Sequence, residues 1–147
     1  MAQEPNRRVA LLSIHPRHAN AILDGHKRVE LRRVPVADDT THVIVYATAP
    51  TQAIIGWFEV EGIDLAAPTR IWNDHQSWCG VTRREFRDYF AGARQAAAIR
   101  VGRSHRLGEP LSLDALPNVK RPPQSFQYLA VSDLELVMAS NAMASVA

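Results

Sequence analysis

Apolar positions in this chain come in short runs separated by proline, glycine and charge, and the period within each run predicts an element. Val9 to Ile14 is apolar except for Ser13, which predicts a buried strand. A helix should follow immediately: Pro16 suits a first helical turn, Ala19, Ile22 and Leu23 share one face, and Gly25 can take the left-handed position that closes it. His42 to Thr48 and Gln52 to Gly62 are rich in β-branched and aromatic residues on either side of Ala49-Pro50-Thr51, which predicts an antiparallel pair. Gly56 within the second run predicts a bulge or a close backbone approach.

Residues 66–78 read as a short helix and loop. Thr82 followed by Glu85 forms a capping-box pattern, Phe86 and Phe90 stand at i and i+4, and Gly92 can end that helix. Ala96 to Val101 predicts a strand, Leu107 to Leu116 irregular chain with a turn of helix, and Phe126 to Val137 a last strand after Pro122-Pro123. The order is thus β-α-β-β-β, two helices, β and β. Residues 1–8 are expected to be a flexible N-terminus, 9–137 one domain and 138–147 a disordered tail without useful periodicity.

One segment departs from this patterning. Between Gly25 and Val34, five charged side chains (Lys27, Arg28, Glu30, Arg32 and Arg33) fall on what reads as a strand. Val29 and Leu31 should face a core, with Arg28, Glu30 and Arg32 opposite. That phase separates Lys27 from Glu30 unless a turn or bulge at His26 and Lys27 intervenes. Such dense charge on a strand is expected to face a ligand or water, and a solvated ladder of ion pairs would produce the same pattern.

Composition narrows the functional classes. At 147 residues, 46% hydrophobic and 22% charged, the chain suits a single globular core. Net charge is only +2 with the basic residues dispersed, so any polyanion site has to be local. The single cysteine, Cys79, excludes an internal disulfide, and the histidines lack metal-ligand spacing, so no metal or other cofactor is expected. No run approaches a membrane span, and the first residues lack the apolar core of a signal peptide, which points to the cytoplasm.

Several of these residues together resemble the ASCH domain family of the PUA-like superfamily. They are Leu12-Ser13-Ile14-His15-Pro16, the stretch from Ile22 to Arg32 with its Gly-x-Lys-x-x-Glu-x-Arg signature, Tyr46-Ala47-Thr48, Gly56, and Pro122-Pro123-Gln124-Ser125-Phe126. The resemblance implies an α+β fold, a small mixed β-barrel of five to six strands with flanking helices. It also implies a cleft beside the first helix for RNA, a nucleotide or a modified nucleoside, with DNA possible and oligomeric state open.

Candidate ligand-binding residues are then Ser13, His15, Lys27, Glu30, Arg32, Arg33, Thr48, Gln124 and Ser125. Lys27, Arg32 and Arg33 offer charge-assisted donors, and Glu30 can accept from an amine or hold an arginine in place. Phe126 or Tyr128 could stack on a base, although their shared strand parity also suits packing. The expected function is an RNA- or nucleotide-binding module. An alternative is amidohydrolysis of an N4-acylated cytidine, in which Lys27 and Glu30 would be catalytic. Some family members use a lysine, a threonine three residues later and a glutamate for that reaction; here Glu30 stands at the threonine position, and the glutamate position falls near Cys79. That replacement favours recognition over catalysis.

Overall fold

The computed structural model describes residues 7–144. Its strands and helices follow the order read from the sequence, with one helix added at the end: β1 (Arg8–Ile14), α1 (Pro16–Leu23), β2 (Val29–Arg32), β3 (Thr40–Ala47), β4 (Ala53–Ala66), α2 (Pro68–His75), α3 (Arg83–Tyr89), β5 (Ala96–Leu111), β6 (Phe126–Leu129) and α4 (Val131–Ala144). The fold is α+β. One mixed six-stranded sheet runs β2-β5-β4-β3-β1-β6, with β1 parallel to β3 and the other neighbours antiparallel.

Three apolar clusters fix the helices to this sheet. Leu12, Val43, Val45 and Phe58 pack beneath Ala19 and Ile22 of α1. Val9, Leu11, Ile44 and Ile54 pack with Leu134 and Val137 of α4. Val29, Leu31 and Ile71 join Phe86 and Phe90 in a third cluster that seats α2 and α3.

Gly56 marks the expected bulge. The β3–β4 register shifts between Val45 and Tyr46, and a Cβ on Gly56 would lie 2.5 Å from the His105 carbonyl oxygen and 2.6 Å from Leu23 Cδ1. Only a residue without a side chain lets α1 and β5 approach so closely.

Two boundaries differ from the sequence reading. β5 runs on through the polar stretch after Val101 to Leu111, because β4 is long enough to pair with it from Ala66↔Ala96 to Ile54↔Leu111 through three register shifts. The irregular segment is correspondingly shorter, with a single 3-10 turn at Leu113–Ala115. The last strand stops at Leu129, and α4 occupies the segment expected to continue it.

The amide of Ala130 donates to Asp133 Oδ2 at 3.1 Å and the amide of Asp133 to the Ala130 carbonyl at 3.0 Å, which turns the chain into the helix. Leu134 and Val137, at i and i+3, are then fully buried. α4 also extends to Ala144, through most of the segment expected to be a disordered tail, whereas residues 145–147 and most of the expected N-terminal segment lie outside the described residues. Among the described residues, no helix is long and apolar enough to cross a membrane.

The hydrogen-bonded ladder does not close on itself, since β2 and β6 are its two edges. Side chains link those edges instead, and they build the site.

Candidate functional site: a cleft between the first helix and the sheet seam

The chain between α1 and β2 positions the charged residues. After α1, the amides of His26 and Lys27 both donate to the Ala21 carbonyl at 3.0 Å, and Gly25 takes a φ of 85°. The strand starts only at Val29, so the turn anticipated at His26 and Lys27 is present and frees Lys27 from strand alternation. The Lys27 stem lies against Gly80, where a Cβ would be 3.1 Å from Lys27 Cγ and Cδ, and its ammonium donates to the Cys79 carbonyl.

Lys27 is only 2% exposed, and burial pulls its pKa below the ordinary lysine value, opposed mainly by the carboxylate of Glu30. All four β2 residues are buried. Val29 and Leu31 enter the cluster under α2 and α3, as expected, while Glu30 and Arg32 do not face bulk water.

Arg32 spans the open seam of the sheet. Its Nε donates to Glu30 Oε2 at 3.1 Å, its Nη1 to Ser125 Oγ at 3.2 Å, and its Nη2 to the Ser13 carbonyl at 3.0 Å. Ser13 in turn donates from Oγ to the Pro123 carbonyl at 2.6 Å and from its amide to the Ser125 carbonyl at 3.1 Å. The segment before β6 is therefore stapled to the end of β1, and Arg32 ties both to β2. A planar guanidinium suits this three-way role better than an ammonium.

These groups line a cleft of about 350 Å3 between α1, β2 and α3. Ser13, His15, Lys27, Glu30 and Arg32 all contribute to it. His15 has a second part, as the N-cap of α1, accepting from the Arg17 amide at 3.2 Å through Nδ1. Ser125 is linked to the cleft through Arg32.

The remaining candidates lie elsewhere. Arg33 turns away to donate to the carbonyls of Tyr89 and Ala91 at 2.7 and 3.2 Å, at the C-terminal end of α3. Thr48 holds the β3–β4 connection, its amide on the Ile14 carbonyl at 3.0 Å, and is not among the cleft-lining residues. Gln124 is exposed and also outside the lining. Phe126 packs on the core, and Tyr128 is 40% exposed, its hydroxyl accepting from the Ala37 amide at 2.8 Å.

The cleft also contains residues that sequence reasoning did not select: His18, Glu85, Phe86 and Tyr89. The Nδ1 of His18 is buried without a hydrogen-bond partner. Burial, and then the nearby charges of Lys27 and Arg17, push the His18 pKa down to about 4, so the ring is neutral near pH 7. Its signal was the His15-x-x-His18 spacing, which places both rings on one side of α1, 6.3 Å apart.

Glu85 has two tasks. It completes the capping box with Thr82, and it takes both guanidinium nitrogens of Arg17 at 2.8 and 3.2 Å, joining the α1 and α3 walls. The hydrogen bonds from Arg17 and from the Thr82 backbone lower its pKa to about 2.

Chemically, the cleft combines two buried cations, a carboxylate that balances them and a neutral imidazole. Lys27 has three N–H donors and Arg32 five, of which one and three are engaged in the bonds above, so both keep donors for an anionic ligand. Cys79 contributes its carbonyl; its thiol is buried toward Gln76 and Val81.

Comparison with known proteins agrees with this architecture. The model of the ASCH domain matches residues 12–100. An ASCH domain-containing ribonuclease from Zymomonas mobilis is 32% identical over 133 residues, covering 88% of this chain and 89% of the relative. The crystal structure of the ASCH protein from Zymomonas mobilis superposes with a TM-score of 0.79 at 28% identity, over 91% of this chain and 96% of that one. A mutant form of the same protein gives a TM-score of 0.80 at 28% identity, over 92% and 98%. With the family model spanning the cleft-forming elements from β1 to β5, this chain belongs to the ASCH domain family.

Proposed function

We propose that the protein acts on RNA, holding a phosphodiester of a single strand in the cleft and cleaving beside it. The observation that carries this reading is the pair of buried cations, Lys27 and Arg32, each with N–H donors to spare on the wall of an open cleft. Charged donors in a partly desolvated site bind phosphate oxygens more strongly than surface lysines do. The Zymomonas mobilis relative named as a ribonuclease supports the same direction.

RNA can be cleaved without a bound group: the 2′-oxygen attacks the adjacent phosphorus, the bond to the 5′-oxygen breaks as that oxygen takes a proton from water, and a 2′,3′-cyclic phosphate forms. The 2′-hydroxyl proton needs an acceptor, and the neutral ring of His18, which lines the cleft, fits that role. Lys27 and Arg32 would stabilise charge that develops on the phosphoryl oxygens. Glu30, bonded to Arg32, orients that cation. This bond also weakens the amidohydrolase alternative, because Glu30 is engaged with Arg32 and is not an alcohol nucleophile beside Lys27.

The test compares a single-stranded RNA with DNA of the same sequence in EDTA-containing buffer, using wild type, Lys27→Met and His18→Gln. Wild type should bind both and cut only RNA, leaving 2′,3′-cyclic phosphate ends. Lys27→Met should weaken binding, and His18→Gln should lower the cleavage rate about 100-fold with binding retained. Binding without cleavage reduces the function to recognition; an RNA affinity no better than that of Lys27→Met overturns the reading.

A further inference from the structure

α3 separates two concave surfaces. Glu85, Phe86 and Tyr89 face the cleft, whereas Arg83, Phe86, Arg87 and Phe90, at i, i+3, i+4 and i+7, face a second groove of about 220 Å3 whose opposite side is Trp72 of α2. Phe86 belongs to both walls, so the groove begins where the cleft ends. The rings form a continuous apolar floor: Trp72 and Phe86 are 5.2 Å apart and Phe86 and Phe90 4.6 Å apart.

Arg8, Arg17, Arg70, Arg103 and Arg106 are each bonded to a carboxylate, and Arg33 to backbone carbonyls. Among the described residues, the side chains of Arg83, Arg84 and Arg87 on α3 form no hydrogen bond or ion pair; those of Arg7, Arg94, Lys120 and Arg121 form none either, but only on α3 do three such cations fall within five residues. Three unpaired cations thus stand on the helix that forms the outer wall of the cleft, beside the partly exposed ring of Trp72.

We infer that the α2–α3 groove is a second subsite, which takes the nucleotide of a single-stranded RNA next to the one held in the cleft. Arg83 and Arg87 contact its phosphates, and Trp72 offers the apolar surface on which its base rests. Unpaired cations beside a partly exposed aromatic ring are a combination that binds single strands without reading their sequence. This subsite rests on the proposed RNA reading of the cleft, whose wall it shares.

The experiment separates the two. Binding of a dinucleotide and of a hexanucleotide RNA is measured across a salt titration for wild type, Arg83→Ala/Arg87→Ala and Arg83→Lys/Arg87→Lys, with folding of each confirmed by thermal melts. The alanine pair should weaken the hexanucleotide about tenfold and lower its salt slope by about 1.4, as for two lost phosphate contacts on a single strand, with dinucleotide affinity unchanged. The lysine pair should restore the slope. If wild type binds the hexanucleotide and the alanine pair leaves both affinity and slope unchanged, the subsite is overturned and the cleft reading stands. If wild type binds neither RNA, the cleft reading fails and takes the subsite with it. Tighter binding of hexaglutamate than of the hexanucleotide, lost in the alanine pair, would overturn the assignment in favour of an acidic peptide.

Discussion

Buried ionisable residues give this cleft its character, and each is held by something specific. Lys27 remains in the interior because Gly80 leaves room for its stem and the Cys79 carbonyl accepts from its ammonium. His18 is held differently, as a ring whose neutral form the site favours. Its pKa in the folded protein is lowered from 6.5 to about 4, so the contribution to stability is complete above 6.5 and is lost as pH falls through about 4. In that window the unfolded chain protonates His18 first and is favoured. His18→Gln should therefore flatten the pH dependence of stability between those values, by about 1–2 kcal/mol once solvent screening of the partly exposed ring is allowed for. Urea unfolding at pH 7.5 and 4.5 checks it, and a wild-type curve already flat across that window would remove the basis for a neutral His18. Lys27, Glu30 and Arg32 were legible in the sequence because dense charge beside a predicted strand has few explanations. His18 was not, since its lowered pKa comes first from burial, which its spacing from His15 does not report.

At the scale of elements, α3 controls the most for its size. In seven residues it closes one wall of the cleft, one wall of the groove, and the Arg17–Glu85 connection to α1. A helix this short owes its stability to its cap and to packing rather than to propensity. Thr82 accepts from the Glu85 amide at 3.1 Å while Glu85 accepts from the Thr82 amide at 2.9 Å. Thr82→Ala should cost about 1 kcal/mol of stability and should also weaken RNA binding, because the same Glu85 carboxylate that caps α3 anchors Arg17. Denaturation and anisotropy on one preparation test the pair of effects; lost stability with unchanged RNA affinity would separate the cap from the site. The capping box was readable because its rule is local. α4 was not: Leu134 and Leu136 alternate as in a strand, while Leu134 and Val137 also share a helical face, and the decision came from Asp133 turning the chain after Ala130. The length of β5 was hidden for a related reason, since its polar residues 103–106 are exposed and their strand conformation is imposed by pairing with β4.

For the whole molecule, the relevant feature is a six-stranded sheet whose edges meet without a ladder between β2 and β6. Resemblance suggested a barrel of five to six strands; strand number and mixed character follow that expectation, and the seam is joined by Arg32 and Ser13 instead of main-chain pairing. Placing the seam at the cleft lets the arginine that holds the seam also line the proposed RNA site, so stability and binding should separate on paired substitution. Arg32→Ala removes bonds to Glu30, Ser13 and Ser125 and leaves a 6% exposed carboxylate without its arginine, which should cost about 3–5 kcal/mol. Arg32→Met together with Glu30→Met removes both charges while keeping volume. That double variant should recover most of the lost stability, because the desolvation of two ions is relieved along with the loss of their attraction. It should nevertheless bind RNA as weakly as Arg32→Ala, since one of the two buried cations is gone. Chemical denaturation and a salt titration of RNA affinity on the same variants decide the matter. If the double variant were as unstable as Arg32→Ala, the bonds to Ser13 and Ser125 would hold the seam and the Glu30 pair would be secondary. If it kept wild-type RNA affinity, Lys27 alone would account for the charge that the cleft presents.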